Sequence, residues 1–239
     1  MMRALAIIPA RSGSKGLPDK NIIDLNGKPL MFYTIHAAIE SNCFEEIMVS
    51  TDCKRYAEIA KKYGAKVPFF RSKTTSGDTS SSWDVVREVL KNYEQIGRIF
   101  DYIALLQPTS PLRVAEDIIR VFEILKSEEI RNIVSVTEVD HPVQWCFTMP
   151  ENHSMKTMAN SPYNYTRRQE LEKYYHENGA IYVVDAKKIE IPQYNFYDDQ
   201  CYGYVMPRER SVDIDKEIDL LITAAYIENY SNFLNEFGV

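Results

Sequence analysis

A loop near the N-terminus concentrates residue types that bind phosphate. The chain has only nine glycines among 239 residues, yet Gly13 and Gly16 both fall between Arg11 and Lys20. This stretch carries three basic side chains and one acidic one, a net charge of +2 in a chain whose formal charge is −6. Backbone N–H groups and cations at the end of a first strand form a concave site for phosphate. We expect a phosphate-bearing ligand here, and a solvated surface loop is the alternative interpretation.

Two common phosphate-binding motifs do not fit this loop. A P-loop requires a lysine directly after its second glycine, but Lys15 precedes Gly16. A dinucleotide-binding loop requires the pattern GxGxxG, and only Gly13 and Gly16 are present. Asp52 stands at a strand end but lies 39 positions after Gly13, where about 20 are expected for a ribose-binding acid. These mismatches argue against P-loop proteins and NAD-linked enzymes.

A second chemical signal is the acidic pair Asp213 and Asp215. Residues two apart on a strand point to the same side, which brings the two carboxylates together. Two neighbouring oxygen ligands suit Mg²⁺, which also takes oxygen atoms from a substrate phosphate. Either aspartate alone could instead cap the helix that follows, but capping does not explain both. We therefore expect a metal site at Asp213 and Asp215.

The elements that position these residues alternate between strands and helices. Short, branched apolar runs predict buried strands, and apolar residues at helical spacing lie between them. This alternation predicts an α/β fold with a mostly parallel sheet, and ligands beyond the carboxyl ends of its strands. The predicted strands cover 5–8, 47–49, 102–106, 133–136, 180–184 and 202–206, and the predicted helices cover 30–41, 82–93, 114–126 and 218–225.

The alternation of predicted strands and helices is interrupted between residues 138 and 177. This segment contains several prolines and aromatic residues but no clean periodicity. Exposed aromatics in an inserted arm favour packing against a second subunit, and a long surface loop is the alternative. We predict a catalytic core at 1–137 and 178–239, a dimerisation arm at 138–177, and a homodimer.

Charge, cysteines and apolar runs exclude other classes of protein. Thirty-four acidic residues outnumber 28 basic ones, which disfavours binding to nucleic acid. The four cysteines and four histidines show neither CxxC nor HxxxH spacing, so reduced thiols are expected and a zinc site is not. The apolar run 4–10 is far shorter than the roughly 20 residues of a membrane helix, and basic residues follow it where a signal peptide would be cleaved. We expect no membrane contact and a cytoplasmic location.

The N-terminal loop and five later segments resemble one enzyme family. The run from Ile7 to Asn21, IIPARSGSKGLPDKN, is similar to the signature of the CMP-sialic acid synthetases (acylneuraminate cytidylyltransferases). Similar segments follow in the same order, at 78–82, 107–113, 168–169, 178–182 and 211–215. The resemblance implies a three-layer, nucleotide-sugar transferase-like (Rossmann-like) fold, a homodimer built through the arm, and a Mg²⁺ requirement. It also implies transfer of CMP from CTP to the anomeric hydroxyl of a nine-carbon sugar acid, with release of pyrophosphate.

The same resemblance implies roles for individual residues. Arg11, Lys20, Asp213 and Asp215 form the expected catalytic set, with the two aspartates holding the metal. Arg168 is expected to bind the sugar's carboxylate, although arm arginines are more often solvated. The expected nucleotide-binding residues are Ala10, Arg11, Ser12, Gly13, Ser14, Lys15, Lys20, Asn21 and Ser82. The expected sugar-binding residues are Gln107, Gln144, Arg168, Tyr182, Phe196 and Tyr197, for which a proline-rich turn and aromatic packing are the plainer explanations.

One departure from the family pattern concerns the sugar. Where many sialic acid enzymes read His-Pro-x-Lys, this chain reads His141-Pro142-Val143-Gln144, so a neutral amide replaces a cation. We expect N-acetylneuraminic (sialic) acid as the substrate. Legionaminic acid or another nonulosonic acid is the alternative, because its less hydroxylated tail suits a less charged pocket. A non-catalytic sugar-nucleotide-binding protein is the remote alternative, since such a protein would not need the metal pair.

Overall fold

The computed structural model of the chain describes residues 2–14, 16–77, 80–126, 130–189 and 196–237. The strands are β1 (Ala4–Pro9), β2 (Asp24–Leu25), β3 (Lys28–Pro29), β4 (Glu46–Ser50), β5 (Tyr102–Leu105), β6 (Asn132–Glu138), β7 (Tyr175–Asp185) and β8 (Cys201–Val205). The helices are α1 (Leu30–Glu40), α2 (Lys54–Lys62), α3 (Ser82–Gln95), α4 (Ala115–Ile124), α5 (Lys156–Ala159), α6 (Ala186–Ile189) and α7 (Glu217–Phe237).

A six-stranded sheet forms the centre of the described chain, in the order β4-β1-β5-β7-β6-β8. Strand β1 runs parallel to both of its neighbours, β4 and β5, and β8 runs parallel to β6. Strand β7 is antiparallel to β5 and to β6. The predicted α/β fold with a mostly parallel sheet is confirmed. The reversed direction of β7 was not predicted, because an apolar run does not indicate which way a strand points.

Helices cover both faces of the sheet, and the side chains of β1 pack against helices on each face. Successive strand residues point to opposite faces. Ala4, Ala6 and Ile8 pack in a core cluster with residues of α1, α2 and α4, while Leu5 and Ile7 pack in a second cluster with residues of α3. An apolar run without alternation is thus what a strand buried on both faces requires. The result is the predicted three-layer arrangement.

The long connection between β6 and β7 is the segment predicted as an arm. Strand β6 ends at Glu138 and β7 begins at Tyr175, and only the one-turn helix α5 and two 3-10 turns are regular in the connection. Several of its large apolar side chains are exposed: Phe147, Met149, Met155, Tyr163 and, almost completely, Tyr165. The division into a core and a dimerisation arm stays a prediction.

The longest helix, α7, contains the apolar residues predicted to share a helical face at 218–225. Neither α7 nor any other helix in the described ranges is long and apolar enough to cross a membrane.

Candidate active site

A pocket of about 380 Å³ lies where β1 and β5 end, at the edge where parallel strands place their ligands. It joins five parts of the chain: the N-terminal loop, the connection between α2 and α3, the start of α3, the segment after β5, and Asp215. Seven of the expected site residues line this pocket: Arg11, Ser14, Lys20, Asn21, Ser82, Gln107 and Asp215. The other lining residues are Pro9, Gly16, Arg71, Ser80, Pro108 and Thr109.

A larger pocket of about 480 Å³ lies between α1, α7 and the segment before α4. Its walls are mostly apolar, and none of the expected site residues lines it. Ligand sites combine apolar walls with a few converging polar groups, and the charged groups suited to a nucleotide line the smaller pocket. We therefore place the candidate active site in the smaller pocket.

Two side chains fix the shape of the N-terminal loop. The carboxylate of Asp52, just after β4, accepts hydrogen bonds from the backbone N–H of Ser12 at 2.8 Å and from the Ser12 hydroxyl at 3.0 Å. The Asn21 amide donates to the carbonyl oxygen of Arg11 at 3.1 Å. Gly13 has a φ of 74°, which favours glycine. Both donors of Ser12 are engaged by Asp52, so Ser12 shapes the loop in this structure.

Ala10 and Lys15 were also expected at the nucleotide. Ala10 is fully buried, and its backbone N–H donates to the carbonyl oxygen of Ser50 at 2.9 Å, which extends the pairing of β1 with β4. Lys15 lies outside the described residues.

Lys20 connects the N-terminal loop to the acidic pair. Its ammonium group donates to Asp215 Oδ1 at 2.9 Å and to the carbonyl oxygen of Ile214 at 2.9 Å. Gly16 packs closely against the acidic pair, since an added Cβ would lie 3.0 Å from the carbonyl oxygen of Asp215. The Ile214 N–H donates to the Thr109 carbonyl oxygen at 2.8 Å. The N-terminal loop, the acidic pair and the segment after β5 are therefore held together.

The carboxylates of Asp213 and Asp215 influence each other. Desolvation of the Asp213 carboxylate raises its pKa although the residue as a whole is exposed, and the Asp215 charge raises it further. A hydrogen bond from Thr109 and the Lys20 charge oppose this rise. A cation bound between the two carboxylates would relieve their repulsion.

The donor set around these carboxylates fits Mg²⁺ bound together with a nucleotide. Across the described ranges, no group of three or more His, Cys, Asp or Glu side chains forms a complete metal site. Mg²⁺ is usually held by one or two carboxylates, with the remaining ligands supplied by phosphates and water. Two carboxylates beside a cationic loop agree with that pattern.

Asp219, rather than Asp213 or Asp215, caps the start of α7. The Asp219 side chain accepts hydrogen bonds from the N–H groups of Asp215 at 3.0 Å and Lys216 at 2.8 Å, where α7 begins. Asp219 thus satisfies two donors that a helix start leaves unpaired. Capping of α7 therefore does not account for the side chains of Asp213 and Asp215.

Arg71 lines the pocket and was not among the expected residues. Its Nε is buried without a hydrogen-bond partner, and burial lowers the pKa of the guanidinium while the Asp52 charge opposes this. Arg71 lies in the connection between α2 and α3. Its backbone N–H donates to the carbonyl oxygen of Thr51 at 2.9 Å, which holds this connection beside the loop after β4. A half-buried cation whose Nε lacks a hydrogen-bond partner suits an anionic ligand. No motif marks Arg71 in the sequence.

Ser82 is placed at the pocket by the start of α3. Ser81 and Asp84 form a reciprocal capping box in which the Ser81 hydroxyl accepts from the Asp84 N–H and the Asp84 carboxylate accepts from the Ser81 N–H, both at 3.1 Å. This cap fixes where the helix begins. Ser82, the first helical residue, then lines the pocket as expected.

Gln107 lies on the opposite wall, just after β5. Its carbonyl oxygen accepts hydrogen bonds from the hydroxyl of Thr34 at 3.3 Å and from buried Arg113 at 3.4 Å. An added Cβ on Gly179 would lie 3.5 Å from the Gln107 side-chain oxygen. The backbone of Gln107 is thus fixed while its amide faces β7 and the pocket.

The three expected aromatic residues lie together, with Trp83 as an unexpected fourth. The Phe196 ring lies 5.1 Å from Trp83 and 5.3 Å from Tyr197, and Trp83 lies 6.0 Å from Tyr182. The hydroxyls of Tyr182 and Tyr197 both donate to Glu177. Burial and the Glu177 carboxylate raise the pKa of both tyrosines. Glu177 was not predicted, because its pairing with the tyrosines depends on the conformation of β7.

Gln144 and Arg168 lie in the arm and do not line the pocket that contains Arg11. Arg168 borders a separate pocket of about 280 Å³. The Gln144 amide donates to the carbonyl oxygen of Glu172 at 3.4 Å, and its side-chain oxygen is buried without a partner. Their role in binding the sugar stays a prediction.

Comparisons with known proteins agree on one family. The family model described as "Cytidylyltransferase" matches residues 5–229. The chain is 40% identical to the CMP-N,N'-diacetyllegionaminic acid synthase of Legionella pneumophila, covering 95% of this chain and 97% of that one. It is 39% identical to the N-acylneuraminate cytidylyltransferase of Streptococcus agalactiae over 92% of this chain, and spans about half (52%) of that protein. A solved CMP:2-keto-3-deoxy-manno-octonic acid synthetase in complex with CTP shares the fold, with a TM-score of 0.69 at 18% identity, covering 95% of this chain and 99% of that one.

Proposed function

The chain belongs to the cytidylyltransferase family, and from that premise we propose that it transfers CMP from CTP to the anomeric hydroxyl of N-acetylneuraminic acid. Pyrophosphate is the second product. The observation that carries this proposal is the contact of Lys20, from the phosphate-binding loop, with Asp215 of the acidic pair. It joins a site for a triphosphate to a site for a cation, which is the combination that nucleotidyl transfer needs.

The proposed reaction is one in-line displacement. The anomeric hydroxyl oxygen forms a bond to the α-phosphorus of CTP, and the bond from that phosphorus to the bridging oxygen of the β-phosphate breaks. Pyrophosphate leaves with the electron pair of the broken bond, and the hydroxyl proton passes to water. Arg11, Lys20 and Arg71 bind the triphosphate and offset the negative charge of the leaving pyrophosphate. Because no covalent intermediate with the protein is needed, positioning and charge account for the catalysis.

We propose that Asp213 and Asp215 hold Mg²⁺ in this site. When bound, Mg²⁺ neutralises charge on the phosphate oxygens. The chain's own contribution is to keep the two carboxylates together: Lys20 holds Asp215, and the N–H of Ile214 holds the segment between the carboxylates to Thr109. A non-catalytic sugar-nucleotide-binding protein would have no need for this arrangement. The arrangement therefore favours an enzyme over that alternative.

Legionaminic acid is the second candidate substrate, and one residue favours it. Gln144 places a neutral amide where the pattern His-Pro-x-Lys of many sialic acid enzymes has a lysine. A less charged site suits a sugar acid with fewer hydroxyl groups on its tail. The relative from Legionella pneumophila, named for a diacetyllegionaminic acid product, is consistent with this alternative.

The homodimer and the cytoplasm belong to the same proposal. The exposed apolar side chains of the arm, including Met149 and Tyr165, support an interface between two copies of the chain. The need for CTP supports the cytoplasm as the place of action. Light scattering combined with size exclusion tests the dimer, and a monomer at micromolar concentration would contradict it.

A substrate panel tests the proposed function. The purified chain is mixed with CTP, Mg²⁺ and one sugar acid at a time, and pyrophosphate release is measured. The sugar acids are N-acetylneuraminic acid, legionaminic acid and 2-keto-3-deoxy-manno-octonic acid (KDO). The proposal predicts release that depends on CTP and on a nine-carbon acid, fastest with N-acetylneuraminic acid. Faster release with legionaminic acid would support the second candidate, and release with KDO alone would contradict both.

A further inference from the structure

A tight turn in the N-terminal loop determines where the side chain of Lys20 begins. The turn covers residues 17–20 and is closed by the Lys20 N–H, which donates to the carbonyl oxygen of Leu17 at 3.2 Å. Pro18 takes its second place, and Asp19, with a φ of 52°, takes its third. A type II turn favours proline in the second place and requires a positive φ in the third. The conformation of Asp19 therefore sets the direction in which the chain continues to Lys20.

Backbone preference alone does not explain an aspartate in this turn. Glycine adopts a positive φ readily, as Gly13 does in the same loop, whereas aspartate only tolerates it. An aspartate is therefore the less favourable choice unless its carboxylate makes a contact that glycine cannot make. The structure contains such a contact.

Helix α2 holds the Asp19 carboxylate. The Tyr56 hydroxyl donates to Asp19 Oδ1 at 2.9 Å, and Tyr56 is only 1% exposed, in the core cluster that contains β1. Burial and the Asp19 carboxylate raise the pKa of Tyr56, so the hydroxyl keeps the proton that it donates. Arg55 also contacts Asp19, at 3.4 Å, but both side chains of that ion pair are more than half exposed, and such pairs contribute little. The contact with Tyr56 is the stronger of the two.

The chain leads directly from this contact into the candidate active site. After Asp19 it continues in a 3-10 turn, in which the Ile22 N–H donates to the Asp19 carbonyl oxygen at 2.9 Å. The Lys20 ammonium group then reaches Asp215 and the carbonyl oxygen of Ile214. A buried tyrosine of α2, a left-handed aspartate and the lysine of the site thus form one continuous series of contacts.

We propose that Tyr56 is a positioning residue for the nucleotide: its hydroxyl holds the Asp19 carboxylate, which keeps Asp19 left-handed and directs Lys20 at the triphosphate. Neither Tyr56 nor Asp19 lines the pocket, so both act through Lys20 and not on the ligand itself. This inference rests on the proposed function, in which Lys20 binds the triphosphate of CTP.

Tyr56→Phe removes only the hydroxyl oxygen and tests the proposal directly. We expect it to raise the KM for CTP about 10-fold and to change the KM for the sugar acid less than about threefold, because a hydrogen bond to a charged group is lost from the loop that binds the triphosphate. Calorimetry with CTP and Mg²⁺ alone should show the same loss in Kd, whichever sugar acid is the substrate. Tyr63→Phe, at the other end of α2, is the control and is expected to change none of these constants.

Substitutions of Asp19 separate its conformation from its carboxylate. Asp19→Asn retains an acceptor oxygen and tolerates a positive φ, so the Kd for CTP should stay within about threefold of the parent value. Asp19→Gly adopts the positive φ but loses the acceptor, and should raise the Kd about 10-fold, as Tyr56→Phe does. Asp19→Ala lacks both properties and should raise it about 30-fold or more. Melting temperatures identify the folded variants.

A double variant tests whether Tyr56 acts through Asp19. With Asp19→Gly already present, Tyr56→Phe is expected to change the Kd for CTP less than about twofold, because the contact is already lost. A further loss of about 10-fold, or an unchanged Kd in the folded Tyr56→Phe single variant, overturns the proposal. A parent protein that binds CTP but turns over no nine-carbon sugar acid overturns the proposed function instead.

Discussion

The ammonium nitrogen of Lys20 lies 2.9 Å from Oδ1 of Asp215, a residue 195 positions away in the sequence. The two partners differ in their surroundings, because the Lys20 side chain is 16% exposed and that of Asp215 is 69% exposed. An enclosed ammonium group has a fixed position, while an open carboxylate can accept a further cation. The contact therefore links the N-terminal loop to the acidic pair and leaves most of the Asp215 side chain open to solvent.

Asp213→Asn and Asp215→Asn are each expected to lower kcat about 100-fold or more at saturating Mg²⁺, because metal bridging supplies several kcal/mol of charge stabilisation. Turnover and the melting temperature are measured for both variants. Asp219→Asn is the control, since Asp219 caps α7 and an amide oxygen still accepts hydrogen bonds. Near-normal turnover in a folded variant removes that aspartate from the metal site.

Arg11→Ala and Arg71→Ala are expected to raise the KM for CTP about 10-fold or more and to change the KM for the sugar acid less than about threefold. Both side chains line the pocket, and each would lose a charge-assisted hydrogen bond to the triphosphate. Initial rates at varied CTP and varied sugar acid separate the two effects. Arg120→Ala, on the exposed face of α4, is the control, since in the described part of the chain Arg120 pairs only with Glu116 and Glu123 of the same helix. Equal losses for both substrates contradict the assignment.

Asp52→Ala is expected to raise the KM for CTP about 10-fold, because two hydrogen bonds that shape the loop are lost. Ser12→Ala is expected to have a smaller effect, about threefold, because the backbone N–H of residue 12 still donates to Asp52. Both are measured by initial rates at saturating sugar acid. The reverse order of effects would mean that the Ser12 hydroxyl contacts the nucleotide itself.

Gln144→Lys is expected to shift the ratio of kcat/KM toward the more hydroxylated sialic acid by about 10-fold, because a charge-assisted hydrogen bond to the polar tail is gained. Arg168→Ala is expected to lower kcat/KM for sialic and legionaminic acids alike, since both carry the C1 carboxylate. The measurement is kcat/KM for the two acids at fixed CTP. A ratio unmoved by Gln144→Lys shows that residue 144 does not select the sugar.

Local sequence signals were enough to predict the α/β fold with its mostly parallel sheet, and to single out the N-terminal loop that lines the pocket. Strand β1 was recognisable because burial on both faces requires an unbroken apolar run. The N-terminal loop was recognisable because glycines and cations are scarce elsewhere in that combination. Both features depend on residues close together in the chain, which a single sequence records.

The parts that could not be predicted depend on contacts between distant segments. Asp52 and Arg71 reach the loop only because β4 lies beside β1 and the connection before α3 returns past Thr51. Glu177 meets Tyr182 only through the bulge in β7. A single sequence contains no pattern that reports such pairings.

The most direct test of the central claim follows the phosphorus atoms of CTP by ³¹P NMR in the presence of Mg²⁺, N-acetylneuraminic acid and the protein. The account predicts that the triphosphate signals disappear and that one phosphodiester and one pyrophosphate form for each CTP consumed. The Asp215→Asn variant should leave the triphosphate signals in place over the same time. Unchanged triphosphate signals with the folded parent protein and every nine-carbon sugar acid tried would contradict the account.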